Sequence, residues 1–273
     1  MIAATVRFYE ELNFFLKGHE KKQDIQTRCL LPRSVKDLIE SFGIPHVEVD
    51  LILINGSSQG FDYLVQDGDR ISVYPVFERL NIAGITKLRP EPLRNPRFVV
   101  DVHLKTLARR LRMLGFDVVY DPTKSDRELA TASQADRRIL LTRDRQLLMR
   151  SIVTRGLYVR STDPAVQTPE IIERLDLYSL VQPFARCIDC NGLIGAVKDV
   201  DWDLYKSNVP AGVKAWCSEF YVCDSCEKVY WKGGHYQKMT KMVEKILGAR
   251  EGNNSKPTSG GEPSSPAQRS SQG

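Results

Sequence analysis

From residue 97 to residue 161 the chain alternates short apolar runs with stretches of helical period: RFVVD, HLKTLARRLRMLG, FDVVYD, SDRELATASQAD, RRILLTRD, RQLLMRS and GLYVRS. Strands separated by helices cannot pair as hairpins. They need crossover connections, which place them parallel in one sheet with helices on its faces. In the first helix Leu104, Leu107, Ala108, Leu111 and Leu114 recur at helical spacing and mark the side that faces the sheet, with Gly115 as the stop. Lys105, Arg109 and Arg112 lie on the other side. This pattern predicts an α/β domain over residues 97–184.

Parallel sheets carry their ligand sites at the carboxyl ends of the strands. Two predicted strands end in aspartates, Asp101 and Asp144, and neighbouring strands would bring these together although they lie far apart in sequence. The helix between them opens with SDREL, which offers Asp126 as a third acid and Glu128 in reserve. Ser125 and Glu128 have the S-x-x-E spacing of a capping box, so Glu128 reads as structural. Helix capping also suits Asp101 and Asp144, and the first turn of a helix favours Asp126 in any case.

Clustered carboxylates repel one another, and a divalent cation relieves that repulsion. Magnesium or manganese, held by a few carboxylates and water, suits phosphodiester hydrolysis. Between residues 86 and 160 Lys and Arg outnumber Asp and Glu about two to one. That local excess suits a polyanion, with Lys105, Arg109, Arg112 and Arg143 as phosphate contacts by position. His103 is available as a base, but a metal-activated water does not require one.

Ahead of this domain, residues 1–80 read as strand, strand, helix, strand, strand, with TRCLL as the second strand and SVKDLIESFG as a helix capped by Ser34. A small α+β sheet packed on one helix follows. Prolines 90, 92 and 96 mark residues 81–96 as a linker.

Four of the six cysteines form two C-x-x-C pairs, Cys187/Cys190 and Cys223/Cys226. Each tight turn presents two sulfurs to one ion, so the four predict a closed, structural zinc site within residues 185–247. The span between the pairs implies an inserted loop around DWDLYKSNVPAGVKAW, and KMTKMVEKIL reads as a closing helix. Cys29 and Cys217 are left as small apolar residues. Around the second pair, Tyr230 and Trp231 read as packing residues, and Lys232, His235 and Lys238 as RNA contacts. Residues 248–273 are rich in Gly, Ser, Pro and Asn and are expected to be disordered.

An apolar content of 42% with 27% charged residues is that of a globular chain. No run of about 18 apolar residues suggests a membrane span, and the N-terminus lacks a signal-peptide pattern. A cytoplasmic protein is expected.

Two resemblances sharpen this reading. The run VDLILINGSSQGFDYLVQDGDRISVYPVF resembles the ubiquitin-like β-grasp fold of sulfur-carrier proteins. Those carriers end in a free Gly-Gly, whereas this chain continues, which argues against sulfur transfer. VVDVHLKTLARRLRMLGFDVVYD, SDREL and RRILLTRDRQLL resemble the Mut-seven C-terminal RNase domain, a PIN-like nuclease family, and VYWKGGHYQKM is similar to that family's C-terminal zinc ribbon. The likeness implies that Asp101, Asp126 and Asp144 bind magnesium or manganese, with Asp163 the nearest counterpart of a fourth acid and Thr142 placing the Asp144 carboxylate. A metal-dependent ribonuclease is the reading this favours. A non-catalytic RNA-binding adaptor, or a scaffold that engages a protein partner through the β-grasp domain, are the alternatives.

Overall fold

The computed structural model describes residues 1–76, 86–88, 95–198 and 201–253, with side chains up to residue 248. Alternating apolar residues in β1 (Ile2–Phe8) send Ala4, Val6 and Phe8 to one side. They meet Leu38 and Ile39 of α1 (Val35–Ser41), whose Ser34 cap accepts the Asp37 amide at 3.1 Å. With β2 (Ile25–Cys29), β3 (Val49–Ile54), β4 (Ser57–Ser58) and β5 (Arg70–Pro75) the sheet order is β2-β1-β5-β3-β4. β1 and β5 are parallel and the other pairs antiparallel, the mixed sheet of a β-grasp domain. The second strand stops at Cys29, short of the expected TRCLL: Leu30 and Leu31 lie beyond it, exposed.

Of the expected linker, residues 86–88 lie along this first domain. The Thr86 hydroxyl donates to the Asp50 carbonyl, and Leu88 packs on the β-grasp core. Most of the rest of residues 81–96 lies outside the described residues.

The alternation that follows folds as β6 (Phe98–Val100), α2 (Lys105–Met113), β7 (Val118–Val119), α3 (Asp126–Ala135), β8 (Ile139–Thr142), α4 (Arg145–Leu148) and β9 (Gly156–Tyr158). All pairings are parallel, in the order β7-β6-β8-β9. Every residue of β6 and β8 is buried, as a sheet covered on both faces requires. Phe98, Val100, Ile139 and Leu141 face a core shared with α2, while Val99 and Leu140 face α3 and α4. Gly115 follows α2 at φ +95°, and a Cβ there would lie 2.2 Å from the Gln182 carbonyl oxygen, so glycine is needed for both conformation and space.

Sequence patterning passes over one helix, α5 (Pro164–Arg174). Its start is set by Asp163, whose carboxylate accepts the Ala165 amide at 2.8 Å, and by Pro164 in the first turn. Ile171 and Ile172 add to the α2 side of the sheet.

The cysteine region forms an antiparallel sheet of β10 (Ile194–Ala196), β11 (Phe220–Cys223) and β12 (Val229–Trp231). The inserted segment holds two short helices, α6 (Trp202–Tyr205) and α7 (Ala211–Lys214), around a small core with Val209, Phe220 and Val229. The final helix, α8 (Gly234–Asn253), runs past the expected boundary at 247. Its Val243 and Ile246 are buried in the core of the parallel sheet, so packing joins α8 to that domain as well as to the ribbon. Residues 254–273 of the expected disordered tail lie outside the described residues. No described helix is long and apolar enough to cross a membrane.

The β-grasp domain is docked on the parallel-sheet domain through buried polar contacts. Glu48, 1% exposed, pairs with Arg174 at 2.6 Å and accepts the Tyr158 amide at 2.5 Å. The His46 Nε2 reaches the Val153 carbonyl at 2.9 Å. Arg145, next to Asp144, lies over the rings of Phe15 and Tyr158 at 5.0 and 5.6 Å, which couples the first domain to the start of α4.

Candidate active site and metal centre

In this sheet the first strand, β6, is flanked by β7 and β8, so the chain leaves it in opposite directions. The β6/β8 boundary is the topological switch point, the place at the carboxyl ends where such sheets carry their ligand sites. Asp101 follows β6 directly and Thr142 ends β8; the pairing of Val100 with Leu141 sets them side by side.

Asp101 is 7% exposed. One carboxylate oxygen accepts the His103 amide at 3.2 Å, which caps a short turn at Val102–Leu104, and the other accepts the Thr142 hydroxyl at 2.5 Å. No described basic side chain forms an ion pair with it. The same Thr142 oxygen accepts the Asp144 amide at 2.9 Å. Thr142 therefore holds the Asp101 carboxylate and the Asp144 backbone, where the sequence pointed to the Asp144 carboxylate. Asp144 is half-buried and caps α4, taking the Gln146 and Leu147 amides at 2.7 and 3.3 Å.

Asp126, in the first turn of α3, is exposed, and its carboxylate makes no hydrogen bond or ion pair among the described residues. Glu128 closes the capping box: the Ser125 amide and hydroxyl donate to it at 2.8 and 2.6 Å. Asp163 caps α5 and His103 is exposed. All three aspartates of the expected site thus stand at strand-to-helix junctions on one rim. They are not drawn into a chelate: among the described residues, the four cysteines are the group of three or more such ligands whose atoms all lie within 4.8 Å of one another.

The fit to magnesium or manganese is one of donor chemistry. The carboxylate oxygens are hard donors with no ion pair among the described residues, and magnesium needs one or two carboxylates when water completes its shell. Asp101 and Asp144 are carboxylates of this kind, one just after β6 and one two residues after the end of its neighbour β8.

One of the expected phosphate contacts, Arg112, is corrected, and another, Arg143, is partly engaged in the fold. Arg112 is buried at 5% exposure, because the far side of α2 is covered by the first cysteine turn; its guanidinium donates to the carbonyls of Val118 and Asp189 at 2.9 and 2.6 Å. Arg143 donates through one nitrogen to the carbonyls of Val159, Arg160 and Ser161, closing the end of β9. Both brace the fold. Arg109 is exposed but paired with Asp189 at 2.7 Å, and Lys105 is exposed. Lys232 pairs with Glu219 at 2.8 Å, while His235 and Lys238 are exposed on α8.

The four cysteine sulfurs fit a tetrahedral ion. Cys187 and Cys226 lie 3.7 Å apart and Cys190 and Cys223 3.3 Å, against an edge of about 3.8 Å for four thiolates around zinc. The Cys190 and Gly192 amides point to the sulfurs of Cys187 and Cys190 at 3.5 and 3.4 Å, and the Tyr230 hydroxyl lies 3.0 Å from Cys187. Burial alone would raise the Cys187 thiol, but the Tyr230 hydroxyl and nearby amides outweigh it and hold it at about 7; burial pushes Cys190 up to about 12. Gly192 has to be glycine, since a Cβ there would come within 2.6 Å of the Cys223 sulfur. Cys29 is buried as expected, whereas Cys217 is half-buried. Tyr230 takes a polar role at the sulfurs beyond packing, and Trp231 packs on the ribbon core.

Comparison with known families agrees with this architecture. The model of the Mut7-C RNAse domain matches residues 96–243, and that of the Mut7-C ubiquitin domain matches residues 1–81. No curated protein and no solved structure matches the chain. A match over more than half of the sequence, on a parallel sheet followed by a four-cysteine ribbon, leads to one conclusion: the chain belongs to the Mut7-C RNAse family and carries the family's ubiquitin-like domain at its N-terminus.

Proposed function

We propose that the protein is a ribonuclease that hydrolyses RNA phosphodiester bonds at the β6/β8 rim with magnesium or manganese. Asp101 and Asp144 would hold the cation and Asp126 would complete the acidic face. The observation that carries this reading is Asp101: a carboxylate 7% exposed at the switch point of a parallel sheet, fixed by Thr142 and a backbone amide, with no described ion pair. A buried charge without a counter-ion is costly, and a helix cap there would serve as well with a neutral serine or threonine. A bound cation explains the charge. When bound, it supplies an activated water and stabilises charge on the leaving oxygen. The chain's own residues orient the carboxylates through Thr142 and the α4 turn, and Lys105 and Arg109 hold the RNA backbone. The four-cysteine ribbon holds a structural zinc, and the ubiquitin-like domain offers a surface for a protein partner.

The test is cleavage of defined single-stranded and hairpin RNAs with and without manganese, for the parent protein and for Asp101→Asn and Asp144→Asn. Loss of cleavage in both variants, with the fold retained as a single cooperative unfolding transition, is expected. Cleavage that survives both substitutions would refute the site. RNA binding without metal-dependent cleavage would leave the protein an adaptor.

A further inference from the structure

Beside the cysteine site, and away from the acidic rim, lies a cavity of about 280 Å³ between the ribbon sheet and α8. Its walls include the rings of Phe184, Tyr221, Trp231 and Tyr236 and the cations Arg186 and Lys232; Lys232 pairs with Glu219 at 2.8 Å and Arg186 donates to the Asn191 carbonyl at 2.9 Å. Phe184 and Tyr236 meet at a centroid distance of 4.7 Å with planes 45° apart, leaving faces that are not closed by parallel stacking. The Phe184 backbone sits at φ +64°, a left-handed conformation that costs a bulky residue energy, and its amide bonds the Met113 carbonyl at 2.8 Å. The chain thus holds an aromatic ring at this wall at the expense of backbone strain.

We propose that this cavity takes an unpaired nucleobase of single-stranded RNA, with the flanking phosphates on Lys232 and Arg186. The inference rests on the ribonuclease reading for the identity of its ligand and deepens it, by naming single-stranded RNA as the class of substrate. Flat aromatic walls favour a flat, polarisable group, and the two cations favour an anionic one, which would compete with the exposed Glu219 for Lys232; a nucleotide within a strand has both properties. Placement agrees with this. Asp101 precedes α2, while the first cysteine turn touches the helix's later residues through Arg109–Asp189 and Arg112–Ile188, and Ile188 also lines the cavity. The acidic rim lies at the start of α2 and the cavity beside its later half, on a nine-residue helix roughly 14 Å long. A strand held by its base at the ribbon would pass the exposed Lys105 and Arg109 on its way to the carboxylates.

The experiment is fluorescence anisotropy of a short labelled single-stranded oligoribonucleotide with the full-length, zinc-loaded protein, without added magnesium or manganese, so that binding is read apart from cleavage. Tyr236→Ala should weaken binding roughly 5- to 150-fold, the range for loss of one base–aromatic stack. Tyr236→Phe should bind like the parent. Tyr236→Leu, which keeps apolar bulk without a ring, should behave like the alanine variant, and zinc content should be the same in all. An oligomer of the same charge with abasic sites should bind the parent as weakly as intact RNA binds Tyr236→Ala. Equal affinity of the parent and Tyr236→Ala, or of intact and abasic strands, would overturn the cavity assignment and leave the acidic rim untouched. Weakened binding by Tyr236→Ala together with cleavage that ignores Asp101→Asn would support the cavity and refute the proposed catalytic site.

Discussion

Thr142→Val tests the bridge between the two strand ends. Valine matches threonine in shape, so the substitution removes the hydroxyl with little repacking of a side chain that is fully buried. Two bonds are lost: the one donated to the Asp101 carboxylate at 2.5 Å and the one accepted from the Asp144 amide at 2.9 Å. A hydrogen bond to a charged group contributes about 1.5–3 kcal/mol and a neutral one about 1 kcal/mol, so the expected loss is about 2.5–4 kcal/mol. For a unit of this size that lowers the unfolding midpoint by roughly 5–15 °C. The charge on Asp101 is responsible for most of it. In an Asp101→Asn background the same Thr142→Val change should cost about 1–2 kcal/mol less, a coupling read from a double-mutant cycle by thermal or urea unfolding. Thr142→Ser keeps the hydroxyl and should stay near the parent. A cost below about 0.5 kcal/mol, or one equal in both backgrounds, would show that the hydroxyl does not hold an ionised Asp101, and the argument for that residue as a fixed, charged ligand would fail.

Three further outcomes are expected. Tyr230→Phe removes the hydroxyl 3.0 Å from the Cys187 sulfur and should weaken zinc binding about 10- to 100-fold in a chelator competition, with one zinc per chain still bound at saturation. Arg174→Met leaves Glu48 buried without its partner and should destabilise the docked domains by about 3–5 kcal/mol in urea unfolding, while Glu48→Gln combined with it should recover part of the loss. At Asp117 burial pushes the carboxyl upward, but bonds from Arg138 and Asn191 and the Arg138 charge outweigh it and hold it below the ordinary carboxylate range. A depressed value in the folded state stabilises the protein above the unfolded pKa of about 3.9, and that contribution is lost as pH falls further, so the stability gap between parent and Asp117→Asn should be full at pH 7 and shrink below about pH 4.

The features legible in the sequence are those set by local spacing. A helix needs its cap and its apolar face within a few residues, so the Ser125/Glu128 box, the Ser34 cap and the inward row of α2 could be read directly and appear as expected. Two C-x-x-C turns likewise carry their geometry with them, and the four sulfurs converge. Helix α5 was passed over, although Asp163 as cap and Pro164 in the first turn, where no amide bond is lost, mark its start.

What the tertiary structure decided depends on register and on which surfaces meet, and neither is encoded within a few residues of the group concerned. The pairing of Val100 with Leu141 places Thr142 against Asp101, and no spacing along the chain announces that bond. Arg112 looks like a solvent-facing cation until the first cysteine turn closes over it, and Arg143 until its Nη1 meets three carbonyls at the end of β9; a guanidinium carries enough donors to satisfy several carbonyls, so burial made Arg112 a brace and Arg143 is engaged through one nitrogen. The same holds for Glu48 and Arg174, 126 positions apart, whose pairing exists because the two domains dock. Sequence determined the local elements and the two cysteine turns of this protein; packing determined which of its charged side chains remain available to a ligand, because desolvation of a charge depends on neighbours brought from elsewhere in the chain.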